Sequence, residues 1–227
     1  MSLMATLYTA STWVLPVIVA VTFHEAAHGL VAYRFGDNTA REAGRLTLNP
    51  LKHVDPFGTV LLPAMLYMAS GFLFGYAKPV PVNFGRLHHP RRDMVWVALA
   101  GPGMNILLAI VSSLLFYGVN WMPAGPGGWV AANLVHSIQL NAVLCVFNML
   151  PFPPLDGGRV AVGLLPDFLA RPLARVEPYG MTILLGIFAL SYIGSRSVFH
   201  FSLLGWLIGV PTDALIQFVL LVTGQGG

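Results

Sequence analysis

Charge is the resource this chain has least of. Of its 227 residues 9% are Asp, Glu, Lys or Arg, while 56% are hydrophobic. Soluble domains carry roughly a quarter charged residues, so this composition excludes a water-facing globule and places the chain in a bilayer. Between Asp93 and Asp156 stand 62 consecutive residues without a single Lys, Arg, Asp or Glu. A spanning helix takes about 20 residues, so that interval holds two crossings and a short turn. Cysteine is nearly absent too. Cys145 stands alone, which excludes an internal disulfide framework and a cysteine-based zinc site and makes it a small apolar filler within a helix. Arginine clusters and stacking modules are also missing, which argues against a nucleic-acid partner. The formal charge of +3 therefore reads as membrane topology.

What is present is a succession of apolar runs. Ala5 to Phe23 opens a first membrane helix that continues toward Tyr33. No Lys or Arg precedes it and it leads into a polar motif instead of a cleavage site, so it reads as a retained helix and not a signal peptide. Arg34 to Asp55 is polar, with turns marked by Gly36, Gly44, Asn49 and Pro50. Phe57 to Tyr76 is apolar but interrupted by Pro63 and weakened by Ser70, Gly71 and Gly75. In Lys78 to Asn83 the alternate prolines forbid helix and suit an extended edge segment. Two uncharged helices follow, about 94–119 and 130–150, joined by a turn rich in Gly and Pro. Further apolar stretches at about 179–193 and 198–222 predict C-terminal helices, the last one broken by Pro211 and Asp213 into an interfacial piece and a short helix. The expected fold is an all-α polytopic membrane protein, one integral-membrane domain over 1–227. It has five to six membrane helices and a re-entrant or extended element, about 57–76, between the first two core helices.

His24-Glu25-Ala26-Ala27-His28 lies in the inner half of the first helix. Histidines four residues apart project from one face, so both imidazoles can hold one zinc ion, while Glu25, about 100° around the helix, stands beside it. This is the HExxH arrangement of metal hydrolases. Two histidines and a glutamate among apolar residues in a membrane helix cost on the order of several kcal/mol without partners, and a metal is the natural compensation. Catalytic zinc takes three protein ligands and leaves a fourth position open. The acidic candidates for the third are Asp37, Glu42, Asp55, Asp93, Asp156, Asp167, Glu177 and Asp213. Asp156 stands out because Pro151, Pro153 and Pro154 end the preceding helix and extend the chain, while Gly157 and Gly158 let the backbone turn closely around an ion. The alternative is that Asp156 only caps the next helix. His53, His88, His89, His136 and His200 lack an i, i+4 partner and are not expected to be ligands.

With these two motifs the chain resembles the site-2 proteases, a family of intramembrane zinc metalloproteases, in a compact form without a PDZ or CBS domain. Their hallmarks are HExxH in one helix, here His24 to His28, and an Asn-x-x-Pro-x-x-Pro-like segment leading to Leu-Asp-Gly in another, here Asn148 to Gly157. Ala100-Gly-Pro-Gly-Met-Asn105 resembles the Gly-Pro signature of the intervening core helix. The resemblance implies one Zn2+ per chain held by His24, His28 and Asp156, with Glu25 as catalytic base and Asn148 helping to stabilise the oxyanion. It also implies membrane-protein substrate segments as partners in the lipid bilayer, cut in or near their spans. Asn148 could instead serve only to bond a neighbouring helix. Asn141, seven residues earlier and on nearly the same face, is expected to order either the site or the substrate. Relatives place a membrane-associated sheet between the first two core helices, so Lys78, Pro79, Val80, Pro81, Val82 and Asn83 are either a strand that pairs with an unwound substrate or a proline-rich connector. The 57–76 insertion is either a gate or filler.

Topology supplies a separate test. His28 and Asp156 reach the same side of the bilayer only if Phe57 to Tyr76 enters and leaves by that side. In that case eleven of the 12 Lys and Arg residues share the ligand side and Arg196 alone lies opposite, whereas a full crossing would split them seven against five. The positive-inside rule then predicts an active site opening toward the cytoplasm and an outward N-terminus in a multi-pass cell-membrane protein. From another class, a zinc-binding membrane transporter or channel would also use the histidines, but it has no need of Glu25 as a base. An inactive membrane scaffold would tolerate loss of the same residues, and here they are intact.

Overall fold

The computed structural model describes residues 3–61, 65, 78–195 and 203–226. Helix α1 (Leu3–Arg34) is one continuous apolar rod with Pro16 inside it. A proline within a helix removes one N–H and orphans the carbonyl four residues back. That carbonyl, on Thr12, takes a hydrogen bond from Nδ1 of His136 at 3.1 Å, and the imidazole stacks on Trp13 with ring centroids 4.0 Å apart. The helix stops at Gly36, whose φ of 102° is open to glycine at little cost.

Helix α2 (Pro90–Phe116) starts with proline in its first turn, where the missing N–H is not needed, and Oδ2 of the buried Asp93 accepts from the backbone N–H of His89 at 2.7 Å. Helix α3 (Ala124–Asn148) begins inside the segment expected to be a turn: Pro126 falls within the first helical turn, the one stretch where a helix tolerates it. It ends where Pro151, Pro153 and Pro154 approach. Two short helices follow, α4 (Asp156–Leu164) and α5 (Asp167–Val176), then α6 (Gly180–Ser195) and α7 (Leu203–Val222). The break expected at Pro211 and Asp213 does not occur. Both lie inside α7, since a proline costs a helix one hydrogen bond without obliging it to end.

Helix α2 is the centre of the bundle, packing on α1, α3 and α4, while α3 also meets α1 and α7. Small residues make the close approaches: Ala20, Ala109 and Ala142 are completely buried, as expected where helices associate without a hydrophobic drive from water. Large apolar side chains such as Leu15, Trp96, Leu107 and Leu221 instead point outward, the arrangement of a lipid-facing surface. Among the described residues five helices are long and apolar enough to cross a membrane: Met4–Arg34, Pro90–Trp121, Ala124–Asn148, Asp167–Ser191 and Gly205–Val222. The chain is a helical multi-pass membrane protein.

The 57–76 segment lies largely outside the described residues; Pro56–Leu61 is a π-helical turn. Its flanks are informative. The N–H of Lys78 donates to the carbonyl of His53 at 2.9 Å, and that of His88 to the carbonyl of Phe35 at 2.9 Å. The chain therefore returns at Lys78 to the end of the bundle it left at His53. Lys78 to Asn83 forms no strand; it runs as an irregular segment against α1.

Candidate metal centre

Two helices that cross and one chain reversal assemble the centre. His24 and His28 project from one face of α1 toward α2. Nδ1 of His24 donates to Oδ1 of Asn105 at 2.6 Å and Nδ1 of His28 to the carbonyl of Val97 at 2.7 Å. With the proton fixed on Nδ1, each imidazole turns its Nε2 lone pair the other way, and the two Nε2 atoms stand 3.1 Å apart. Asp156, at the first turn of α4, brings Oδ2 to 3.3 Å from each. That oxygen is buried and has no hydrogen-bond partner.

Three donor atoms converging on one point, one of them a buried carboxylate oxygen with no hydrogen bond, suit a cation. Zinc bonds of about 2.0–2.2 Å in a tetrahedron set neighbouring ligand atoms roughly 3.3–3.5 Å apart, and the observed triangle of 3.1, 3.3 and 3.3 Å is close to one face of it. Gly101 of α2 forms the floor. A Cβ there would stand 2.6 Å from Nε2 of His24 and closer still to Nε2 of His28. Gly157 and Gly158 turn the chain at Asp156 against the backbone of Met149, Leu150, Phe152 and Pro153, where a Cβ would collide. The donor set, its orphaned oxygen and the glycine floor all fit zinc.

Glu25 enters the same cavity, of about 480 Å³, which His24, His28, Asn148 and Asp156 also line. Its Oε2 accepts from the backbone N–H of Val80 at 2.7 Å. Nδ2 of Asn148 donates to the carbonyl of Leu144 in its own helix at 3.0 Å and, among the described residues, not to a neighbouring helix, and a primary amide has a second N–H to give. Of the Lys78–Asn83 segment, Pro79, Val80 and Val82 line the cavity and Lys78, Pro81 and Asn83 do not.

Behind His24 runs a polar chain, of which the sequence singled out Asn141 alone as a residue ordering the site. Nδ2 of Asn105 donates to Oδ1 of Asn141 at 2.8 Å, Nδ2 of Asn141 to the carbonyl of Ser137 at 2.8 Å, and the hydroxyls of Ser137 and Ser112 pair at 2.8 Å. Both asparagines are completely buried, which puts Asn141 behind the site and out of reach of a substrate. The advance signals were Asn141, expected from its face to order the site or the substrate, and the position of Asn105 at the end of the Gly-Pro-Gly segment.

Most of the remaining candidates have other partners, and Asp213 lies within α7. Asp37 accepts from Thr39 and from the N–H of Asn83; burial pushes its carboxyl up, but these donors outweigh it and hold the group below the usual carboxylate value. Glu42 pairs with Arg86, Asp167 with Arg91, and Glu177 with Arg159. Asp55 caps Phe57 and Gly58, while His53 bonds the carbonyl of Thr47. His200 lies outside the described residues. Among those residues His24, His28 and Asp156 form the metal-capable group.

A model of peptidase family M50 matches residues 12–124, from α1 through α2. The chain is 43% identical over 180 residues to Putative zinc metalloprotease YwhC of Bacillus subtilis, covering 77% of this chain and 78% of that one. It is 33% identical to Putative zinc metalloprotease Rip2 of Mycolicibacterium smegmatis, covering 73% of this chain and 62% of the relative. To Rip2 of Mycobacterium tuberculosis strain H37Rv it is 30% identical, with 85% and 68% covered. No solved structure matches the chain. The helical membrane fold, the zinc-fitting triad and these relatives agree: the chain belongs to peptidase family M50, the site-2 proteases.

Proposed function

We propose that the chain is an intramembrane zinc metalloendopeptidase that hydrolyses peptide bonds in or near transmembrane segments. The observation that carries this reading is the meeting of the His24, His28 and Asp156 donors with the Glu25 carboxylate in one cavity. Zinc held by the triad supplies a Lewis acid that polarises a peptide carbonyl and acidifies water.

The chain's own residues do the rest. Glu25 takes the proton of the attacking water and delivers it to the leaving amine, a role worth about 10² to 10⁴ in rate. Asn148 gives its second N–H to the developing oxyanion. Asn105, backed by Asn141, fixes the tautomer and orientation of His24. A substrate arriving as a membrane helix must unwind before cleavage, and the cavity-lining Pro79, Val80 and Val82 offer an extended backbone beside which it can lie.

The active site opens toward the cytoplasm and the N-terminus faces outward. The bonds that return Lys78 to His53 and His88 to Phe35 support this, because they keep both ends of the 57–76 insertion on the ligand side and so preserve the eleven-to-one distribution of basic residues.

The deciding experiment compares purified wild type with Glu25→Gln, measuring bound zinc and cleavage of membrane-segment substrates in detergent or liposomes. Both proteins should bind one zinc, and the variant should lose about 10²-fold or more of the activity. Equal cleavage by the two would remove Glu25 from the mechanism. Zinc flux into liposomes without proteolysis would turn the reading toward a transporter.

A further inference from the structure

We infer that Asp37 and Arg45 are positioning residues for Glu25, acting through the Lys78–Asn83 segment, which they hold at its two ends. This rests on the peptidase reading for its catalytic consequence, though not for its structural one. The only hydrogen bond recorded on the Glu25 carboxylate, among the described residues, comes from the Val80 N–H. Val80 lies between two prolines, which have no N–H and fix φ, so the segment is stiff and its donors are few.

Both ends of that segment are tied by buried charge. At one end Nη2 of Arg45 donates to the carbonyl of Lys78 at 2.8 Å, and the N–H of Lys78 donates to His53. At the other the N–H of Asn83 donates to Oδ2 of Asp37 at 2.6 Å, while Oδ1 of Asp37 is held by Thr39.

Arg45 is 8% exposed and Asp37 fully buried. Among the described residues no carboxylate pairs with Arg45, and its Nε is buried without a partner. A guanidinium withdrawn from water to reach only the backbone carbonyls of Lys78 and, more weakly at 3.5 Å, Pro79 is costly. It makes physical sense if the location of that backbone matters.

The segment is also fitted to the helix that carries Glu25. Gly29, one turn after Glu25 on the same face of α1, leaves the space that Val80 occupies: a Cβ there would stand 3.0 Å from Cγ1 of Val80. The donor is thus located from three directions, by Arg45, by Asp37 and by the α1 surface. With Oε2 held by a rigid backbone donor, the Glu25 side chain is restrained where it lines the cavity. Neither Asp37 nor Arg45 touches the metal ligands. Their removal loosens the base and leaves the zinc in place.

The test deletes the donor directly. Val80→Pro removes the N–H from a segment already bounded by prolines, whereas Val80→Ala keeps the N–H and trims the same packing. Both should retain zinc. Val80→Pro should lower kcat about 30-fold further than Val80→Ala with KM changed by less than about threefold. Arg45→Gln and Asp37→Asn should lower kcat with zinc retained, and Arg45→Lys should recover part of the loss. In a Glu25→Gln background neither should reduce the residual rate further, because groups acting through one residue are not additive.

Amide hydrogen exchange over residues 78–83 in micelles gives a readout free of catalysis. Val80 should exchange slowly in wild type and about tenfold faster or more in Glu25→Ala and in Arg45→Gln. The inference is overturned if Val80→Pro is no worse than Val80→Ala, or if Val80 exchanges at the same rate in wild type and Glu25→Ala. Should wild type show no Glu25-dependent cleavage, it is the peptidase reading that fails, and the exchange rates alone decide whether the segment holds Glu25.

Discussion

Gly101 lies so close beneath His28 that the smallest possible side chain at that position would overlap Nε2. Helices α1 and α2 meet there through glycine because the imidazoles occupy the space a methyl group would take. Gly101→Ala should therefore displace both histidines without removing either. The expected result is zinc content well below one per chain and loss of the rise in melting temperature that added zinc gives wild type, while the metal-free proteins have similar circular dichroism. Metal analysis and a melt with and without chelator read both.

Asn105 holds His24 from behind. Partners of this kind typically contribute 10- to 100-fold in metal affinity. Asn105→Ala should weaken zinc by about that factor in a chelator competition, and Asn141→Ala by less, since Asn105 would keep its bond to His24. An equal or larger effect of Asn141→Ala would mean that the asparagine pair acts mainly by packing.

Asp37 has a folded pKa below its ordinary 3.8. A carboxyl shifted in that direction contributes stability in full above the unfolded value and loses it as pH falls through the folded one. Asp37→Asn, compared with wild type in metal-free protein, should be destabilised at neutral pH by about 1–3 kcal/mol. The gap should narrow as the pH drops below 3.8. A pH-independent gap would assign the loss to geometry instead of charge.

Leu51 and Trp121 are both well exposed, at 78% and 92%, on opposite ends of the bundle. In a Cys145→Ala background, Leu51→Cys should react with an impermeant thiol reagent only from the cytoplasmic side and Trp121→Cys only from outside. Labelling in the reverse sense would invert the proposed orientation, and labelling of both from one side would break the topology.

Asn148→Ala separates the two uses of that side chain. If its second N–H meets the oxyanion, kcat should fall by about 10²- to 10³-fold with zinc content and KM little changed. A loss confined to thermal stability would leave only the bond to Leu144.

The parts of the site readable in advance were those whose geometry is local. Histidines at i and i+4 share a helix face whatever surrounds them, and the prolines and glycines around Asp156 announce a reversal wherever it occurs. What the sequence concealed depends on which helices cross. Asn105 becomes a partner of His24, and Gly101 a floor, only when α2 lies against α1. Arg45 was counted with the topology charges and Asp37 among spare carboxylates, since nothing in either neighbourhood names a segment more than thirty residues away as its ligand. His136 looked like a spare histidine and in fact completes the helix that Pro16 interrupts. Pro211 misled for the opposite reason: the bilayer favours helix strongly enough to carry the chain through a proline that would more readily end a helix in water.

The bond from Lys78 to the carbonyl of His53 has a consequence for how such proteins can diverge. With both ends of the intervening chain pinned at one place, a change of length or sequence within it need not displace Glu25 or the histidines. This interval is where exchange of segments between relatives, or insertion of a reporter, should leave the metal ligands and Glu25 where they are.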